Sequence, residues 1–206
     1  MKNYLYRTIV CVSLISLSFL FFSCASSTEL SNMWVDKNYS KPVKKILVVG
    51  MAKEKWQSKA MENELKTALK SYNVEAIVSW RSLPKDETIS KETFDKYFKD
   101  KNIDAVLIVR SLGATTDETV VKGGVTNVYA GYYGFYFSTY SMFIAPDYVM
   151  ENKTVHVDAH IFDTKTGNLI FKTTSQSFDP HSYSSVIKEI SNAIVGEIEY
   201  SGLIKK

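Results

Sequence analysis

His156, Asp158 and His160 stand at alternate positions of KTVHVDAHIFD, and imidazole and carboxylate are the side chains that ligate metals or move protons. In an extended chain all three project from one face. At ~3.3 Å per residue His156 and His160 lie about 13 Å apart, so one strand does not gather the three around one ion. A polar strand face is the simpler role. Gly50, in VVGMAKEK, follows an apolar run as a phosphate-loop glycine would, yet the stretch has neither the Walker spacing nor the multi-glycine dinucleotide pattern. His181 lies among serines in DPHSYSS, but no G-x-S-x-G elbow is present, and a helix start explains Asp179, Pro180 and Ser182. The expectation is a protein that is not an enzyme, with no catalytic residue, metal or cofactor.

Aromatic rings are the stronger lead. Between Tyr129 and Tyr148, around GYYGFYFSTYSMF, nine of twenty residues are Phe or Tyr, a density that a domain core seldom needs. Tyrosine gives large contact area at low entropic cost and is enriched at interfaces. Tyr129, Tyr132, Tyr133, Phe135, Tyr136 and Tyr140 are therefore the candidate partner-binding residues. Three other placements compete: rings at a membrane–water boundary, a lid packed back over the sheet, and a pore hairpin. The last lacks the ~10-residue dyad alternation of barrel strands.

The amino terminus bears on the compartment. Lys2 and Arg7 precede the fourteen-residue apolar run Ile9 to Phe22, which ends at Ser23-Cys24. A charged start, a short apolar run and a small residue are the anatomy of a secretory signal, and the run is short for a membrane span of about 20 residues. FFSC resembles the lipobox of bacterial lipoproteins, with Phe21 where a Leu is usual. That resemblance implies cleavage after residue 23, a diacylglycerol on Cys24 and acylation of the new amino terminus, enough chains to hold the protein at a bilayer.

Removing residues 1–23 leaves 23 basic against 22 acidic groups over 183 residues. Such a balance offers no electrostatic attraction for nucleic acid. Cys11 leaves with the signal and Cys24 takes the lipid, so no thiol remains for a disulfide and stability must come from the core.

The elements read as a single α/β domain over 43–206, after a lipidated tether over 24–42. KKILVVG at 44–50, VEAIVSW at 74–80 and DAVLIVRSL at 104–112 are apolar runs without alternation, suited to strands covered on both faces. Between the first two, Trp56, Ala60, Met61, Leu65, Ala68, Leu69 and Tyr72 share a helical face. Ser90 caps a shorter helix carrying Phe94, Tyr97 and Phe98. This βαβαβ opening is followed by a strand over 119–129, the aromatic insertion over 129–148, and a β-hairpin turning at DTKTGN. In the hairpin Val155, Val157, Ala159 and Ile161 form the inward row. A closing helix carries Ile187, Ile190, Ala193, Ile194 and Ile198. Three helices and about six strands make an α/β sandwich with a mixed sheet.

NMWVDKNYSKP, KKILVVG, VEAIVSW, IVRSL, the Tyr/Gly-rich insertion and HIFDTKTGNLIF, in that order, resemble a widespread group of small bacterial envelope lipoproteins. More distantly, the opening and the FDTKTGNLI hairpin are similar to the fold of the TolB amino-terminal domain, the curli-secretion lipoprotein and the penicillin-binding-protein activator lipoproteins. The resemblance implies a lipid-anchored envelope protein, non-enzymatic, with a protein-interaction or scaffolding role. It places the protein at the outer membrane, facing the periplasm, with surface display as the other orientation and an envelope protein as partner. A small-ligand or metal-binding envelope lipoprotein is the alternative.

Overall fold

A computed structural model of the chain describes residues 28–84, 87, 89–115, 131–136, 154–178 and 183–205. Six strands form one mixed sheet: β1 (Thr28–Val35), β2 (Lys45–Met51), β3 (Glu75–Val78), β4 (Ala105–Thr115), β5 (Thr154–Asp163) and β6 (Leu169–Phe178). Five helices are described: α1 (Lys55–Lys70), the single turn α2 (Ser79–Ser82), α3 (Lys91–Phe98), α4 (131–136) and α5 (Tyr183–Tyr200). The sheet order is β1-β6-β5-β4-β2-β3, with β2 parallel to both β3 and β4 and the remaining pairs antiparallel. The α/β sandwich with a βαβαβ opening, closed by a hairpin and a helix, is thus the observed architecture.

Why the central strands lack alternation is visible in their packing. On β2, Ile46 and Val48 meet α1 and α5, while Leu47, Val49 and Met51 meet α3 and α4 on the other side. On β4, Ala105, Leu107 and Val109 take the first side, and Val106 and Ile108 take the second. A strand covered on both faces needs apolar residues at every position. The crossovers from β2 to β3 and from β3 to β4 run in opposite directions across the sheet, and a common handedness puts their helices on opposite faces.

Helix α3 begins where its cap residues predict. The Ser90 side chain accepts from the Thr93 backbone N–H at 3.2 Å, and the Ser90 N–H donates to Thr93 Oγ1 at 2.7 Å, which satisfies two donors at the helix start. In the β5–β6 hairpin, Asp163 Oδ2 accepts from the Thr166 N–H at 2.8 Å, and Gly167 adopts the positive φ of 71° that the turn requires.

Two elements differ from the sequence reading. Residues 28–35, within the stretch assigned to a tether, form β1, which pairs antiparallel with β6 and carries a bulge between Ser31 and Trp34. Its run TELSNMWV has little strand character of its own; the open edge of β6 supplies the order by backbone pairing. VEAIVSW divides into β3 and the turn α2. The strand expected over 119–129 lies outside the described residues.

Candidate functional site

The α3/α4 side of the sheet carries a buried polar row. Register pairs Arg110 with Asp158, Ile108 with His160 and Val106 with Phe162 across β4 and β5, so one face holds an Arg, a carboxylate and an imidazole beside apolar neighbours. Arg110 donates to Asp158 Oδ2 from Nε at 3.1 Å and from Nη2 at 2.7 Å. Arg110, Asp158 and His160 are each more than nine-tenths buried. A charge in a strand covered on both sides must find its opposite close by, and adjacent strands in register provide it.

Helix α4 roofs this row. Gly131 opens the helix with φ 68° and lies against the hairpin turn, where a Cβ would come within 3.0 Å of the Gly167 carbonyl oxygen. The rings then run along the polar row. Tyr132 packs on Phe94 and Phe162, with centroids 5.5 and 6.3 Å apart. Phe135 covers His160 at 4.1 Å, and the Arg110 guanidinium carbon sits 4.7 Å from the Phe135 ring centre, a cation–π contact made over a buried ion pair.

Burial sets the charge state of the imidazole. It pushes the His160 pKa down to about 4; Asp158 pulls it upward, while Arg110 and Lys172 add to the depression. His160 is therefore neutral at ordinary pH, and its Nδ1 has no hydrogen-bond partner among the described residues. With α4 seated, the row is a covered ion pair beside a neutral imidazole.

Among the predicted partner-binding residues, Phe135 is fully buried and Tyr132 is 5 % exposed, whereas Tyr133 and Tyr136 are half-buried. The Tyr132 hydroxyl donates to the Tyr133 hydroxyl at 2.9 Å, and burial raises both phenol pKa values. Cys24, Tyr129, Tyr140 and the DPHS stretch lie outside the described residues. The inward row of the hairpin is as read, with Val157, Ala159 and Ile161 in the α1/α5 core and Val155 packed against it. The opposite row was expected to be an open polar face; Asp158 and His160 are instead covered, because residues 131–136 of the aromatic stretch pack over them. His156 is half-buried. Among the described residues no group of three or more His, Cys, Asp or Glu side chains is placed to hold a metal ion.

Glu62, at the C-terminal ends of the parallel strands, is a site that the sequence reading missed. Its Oε1 accepts from the Gly50 N–H at 3.0 Å and the Ser79 hydroxyl at 2.7 Å, and its Oε2 accepts from the Trp80 N–H at 3.2 Å. One carboxylate on α1 thereby clips the end of β2 to the start of α2. Burial raises its pKa to about 7 against the opposing pull of these donors. Gly50 serves packing here: a Cβ would stand 2.5 Å from the Ser58 carbonyl oxygen of α1. Arg110 was legible in principle, since an arginine inside DAVLIVRSL demands a buried carboxylate and VDAHIF offers one. Glu62 gave no such signal, since nothing in the sequence of α1 separates it from Glu64, the other acidic residue of that helix.

No family model matches the chain, and no curated protein matches it. Among solved structures it is similar to the PelC dodecamer from Paraburkholderia phytofirmans, at 10% identity and a TM-score of 0.49 over 87% of this chain and 99% of that one. It is also similar to a PDZ domain protein from Parabacteroides distasonis, at 8% identity and a TM-score of 0.47, covering 91% of this chain and 40% of that chain. Neither similarity bears on what this chain does.

Proposed function

We propose that the protein is a lipid-anchored envelope protein of a two-membrane bacterium, held by acylation of Cys24 at the periplasmic face of the outer membrane, where it binds or scaffolds another envelope protein. The signal-like start and FFSC support the anchor. The observation that carries the interaction role is the division of the aromatic helix. Tyr132 and Phe135 are committed to the chain's own sheet, while Tyr133 and Tyr136 on the same turn and a half keep part of their rings in solvent. Rings held rigid from behind and partly open in front lose little entropy on docking.

Mass spectrometry of the mature amino terminus and photo-crosslinking in cells from Tyr133 and Tyr136 test this together. The expected result is an acylated Cys24, release from membranes by Cys24→Ala, and one envelope protein captured from both positions. An unmodified Cys24, or no specific capture, overturns the corresponding half.

A second reading, a small-ligand or metal-binding envelope lipoprotein, is favoured by the bare Nδ1 of His160 beneath α4. Zinc or inorganic anions raising the melting temperature of the wild type but not of a His160→Gln variant would select it.

A further inference from the structure

We propose that the end of the sheet bearing Trp56 and Leu112 rests on the bilayer, and that the membrane itself is a binding surface of this domain; the inference rests on acylation of Cys24. The argument is one of leash length. β1 begins at Thr28, only four residues after Cys24, and four residues span at most about 14 Å even when fully extended. A lipid on Cys24 therefore cannot let the domain drift from the surface. It must hold whichever end of the sheet Thr28 occupies against the membrane.

Register shows which end that is. Thr28 pairs with Ser177, Ser177 with Val155, and Val155 with Ala114, so the start of β1 is level with the end of β4. The amino-terminal turns of α1 and α5 meet there: Trp56 and Tyr183 have ring centroids 5.2 Å apart, and Thr28 Oγ1 lies 3.5 Å from Glu189 Oε2 on α5. This end leaves two large apolar side chains in solvent, Trp56 at 54% exposure and Leu112 at 42%. Lys53 and Glu54 are exposed just ahead of Trp56 in the chain, and exposed Lys59 holds its amine 5.2 Å from the centre of the Trp80 ring. Tryptophan favours the headgroup region with its ring half immersed, and lysine beside it suits anionic headgroups. Trp56 meets Tyr183 edge-on and still leaves about half of its surface to solvent. At the end of the sheet that the leash holds to the membrane, the bilayer is its partner.

The test uses the full acylated chain, purified from membranes and reconstituted on vesicles of phosphatidylethanolamine and phosphatidylglycerol. These contain a phosphatidylcholine brominated near the top of its acyl chains. Flotation reports anchoring, and tryptophan quenching in a Trp34→Phe/Trp80→Phe background reports contact by Trp56. A Trp56→Phe variant with the other two tryptophans intact gives the same contribution by difference should the double replacement unfold. The expected result is flotation with roughly two-fold quenching of Trp56. Inserting a ~20-residue Gly/Ser linker after Ala25, with a root-mean-square reach of about 25 Å, should preserve flotation and remove most of the quenching. Flotation without quenching of Trp56 overturns this inference while leaving the lipid anchor standing, as would contact by a protein partner at this end in place of lipid. Undiminished quenching with the long linker overturns the leash argument. Failure to float, with Cys24 unmodified, overturns both.

Discussion

The guanidinium of Arg110 makes both of its hydrogen bonds with Asp158 to a single carboxylate oxygen, Oδ2, beneath the ring of Phe135. Taking such a pair from water is expensive, and removing one partner deprives the other buried charge of its ion pair. Asp158→Ala should cost about 3–5 kcal/mol in urea unfolding. The paired replacement Arg110→Met with Asp158→Leu should recover most of that loss, because both charges of the pair leave together. If the double variant is as unstable as the single one, the ion pair contributes directly rather than through the cost of the charge left behind.

Helix α4 offers a comparison within one turn. Phe135→Ala should cost about 3–5 kcal/mol, the range for truncating a buried aromatic. Tyr136→Ser, at a half-buried ring, should cost about 1 kcal/mol. Equal and small losses at both positions would mean that the helix is not seated on the sheet.

Glu62 and His160 impose opposite pH dependences on stability. The Glu62 carboxyl, raised from 4.5 to about 7 on folding, holds its proton more tightly in the native state, so its contribution is full below pH 4.5 and is lost as pH rises to about 7. The His160 imidazole, lowered from 6.5 to about 4, is favoured neutral in the native state, so its contribution is full above pH 6.5 and is lost as pH falls to about 4. Each is worth up to about 3 kcal/mol across its window, at ~1.4 kcal/mol per pKa unit. Between pH 4.5 and 6.5 the two nearly cancel. Melting temperatures from pH 4 to 8 should expose each alone: Glu62→Gln should gain stability as pH rises to 6.5, and His160→Gln should lose it as pH rises to 7. The same slope in both variants would contradict the assignment.

Two glycines make a controlled pair. A Cβ at Gly50 meets backbone 2.5 Å away, whereas one at Gly196, inside α5, meets nothing within 4 Å. Gly50→Ala should destabilise by about 1–3 kcal/mol through overpacking. Gly196→Ala should stabilise by about 0.5–1 kcal/mol through helix propensity and a less free unfolded chain. Guanidinium denaturation midpoints moving in opposite directions would establish the difference.

What the chain determines by itself is the set of elements whose periodicity is local. The runs at 44–50 and 104–112, the helical stripe from Met61 to Leu69, the Ser90 cap and the DTKTGN turn each carry their own hydrogen-bonding and burial pattern, so strands, helices and hairpin were legible before any contact was known. The inward row of β5 followed from alternation alone. Tertiary structure decided what depends on a neighbour. TELSNMWV becomes a strand because β6 has a free edge to pair with. The alternation in VHVDAHIF marks two faces but does not say that both are covered; α4, distant in sequence, turns the polar one into a buried row. Arg110 and Asp158 are 48 residues apart, and only the register of β4 against β5 makes them partners. Glu62 becomes a clip because the ends of β2 and β3 arrive beside the same turn of α1. In each case the deciding energy is a pairing or a desolvation between segments far apart in sequence, and no window along one segment contains it.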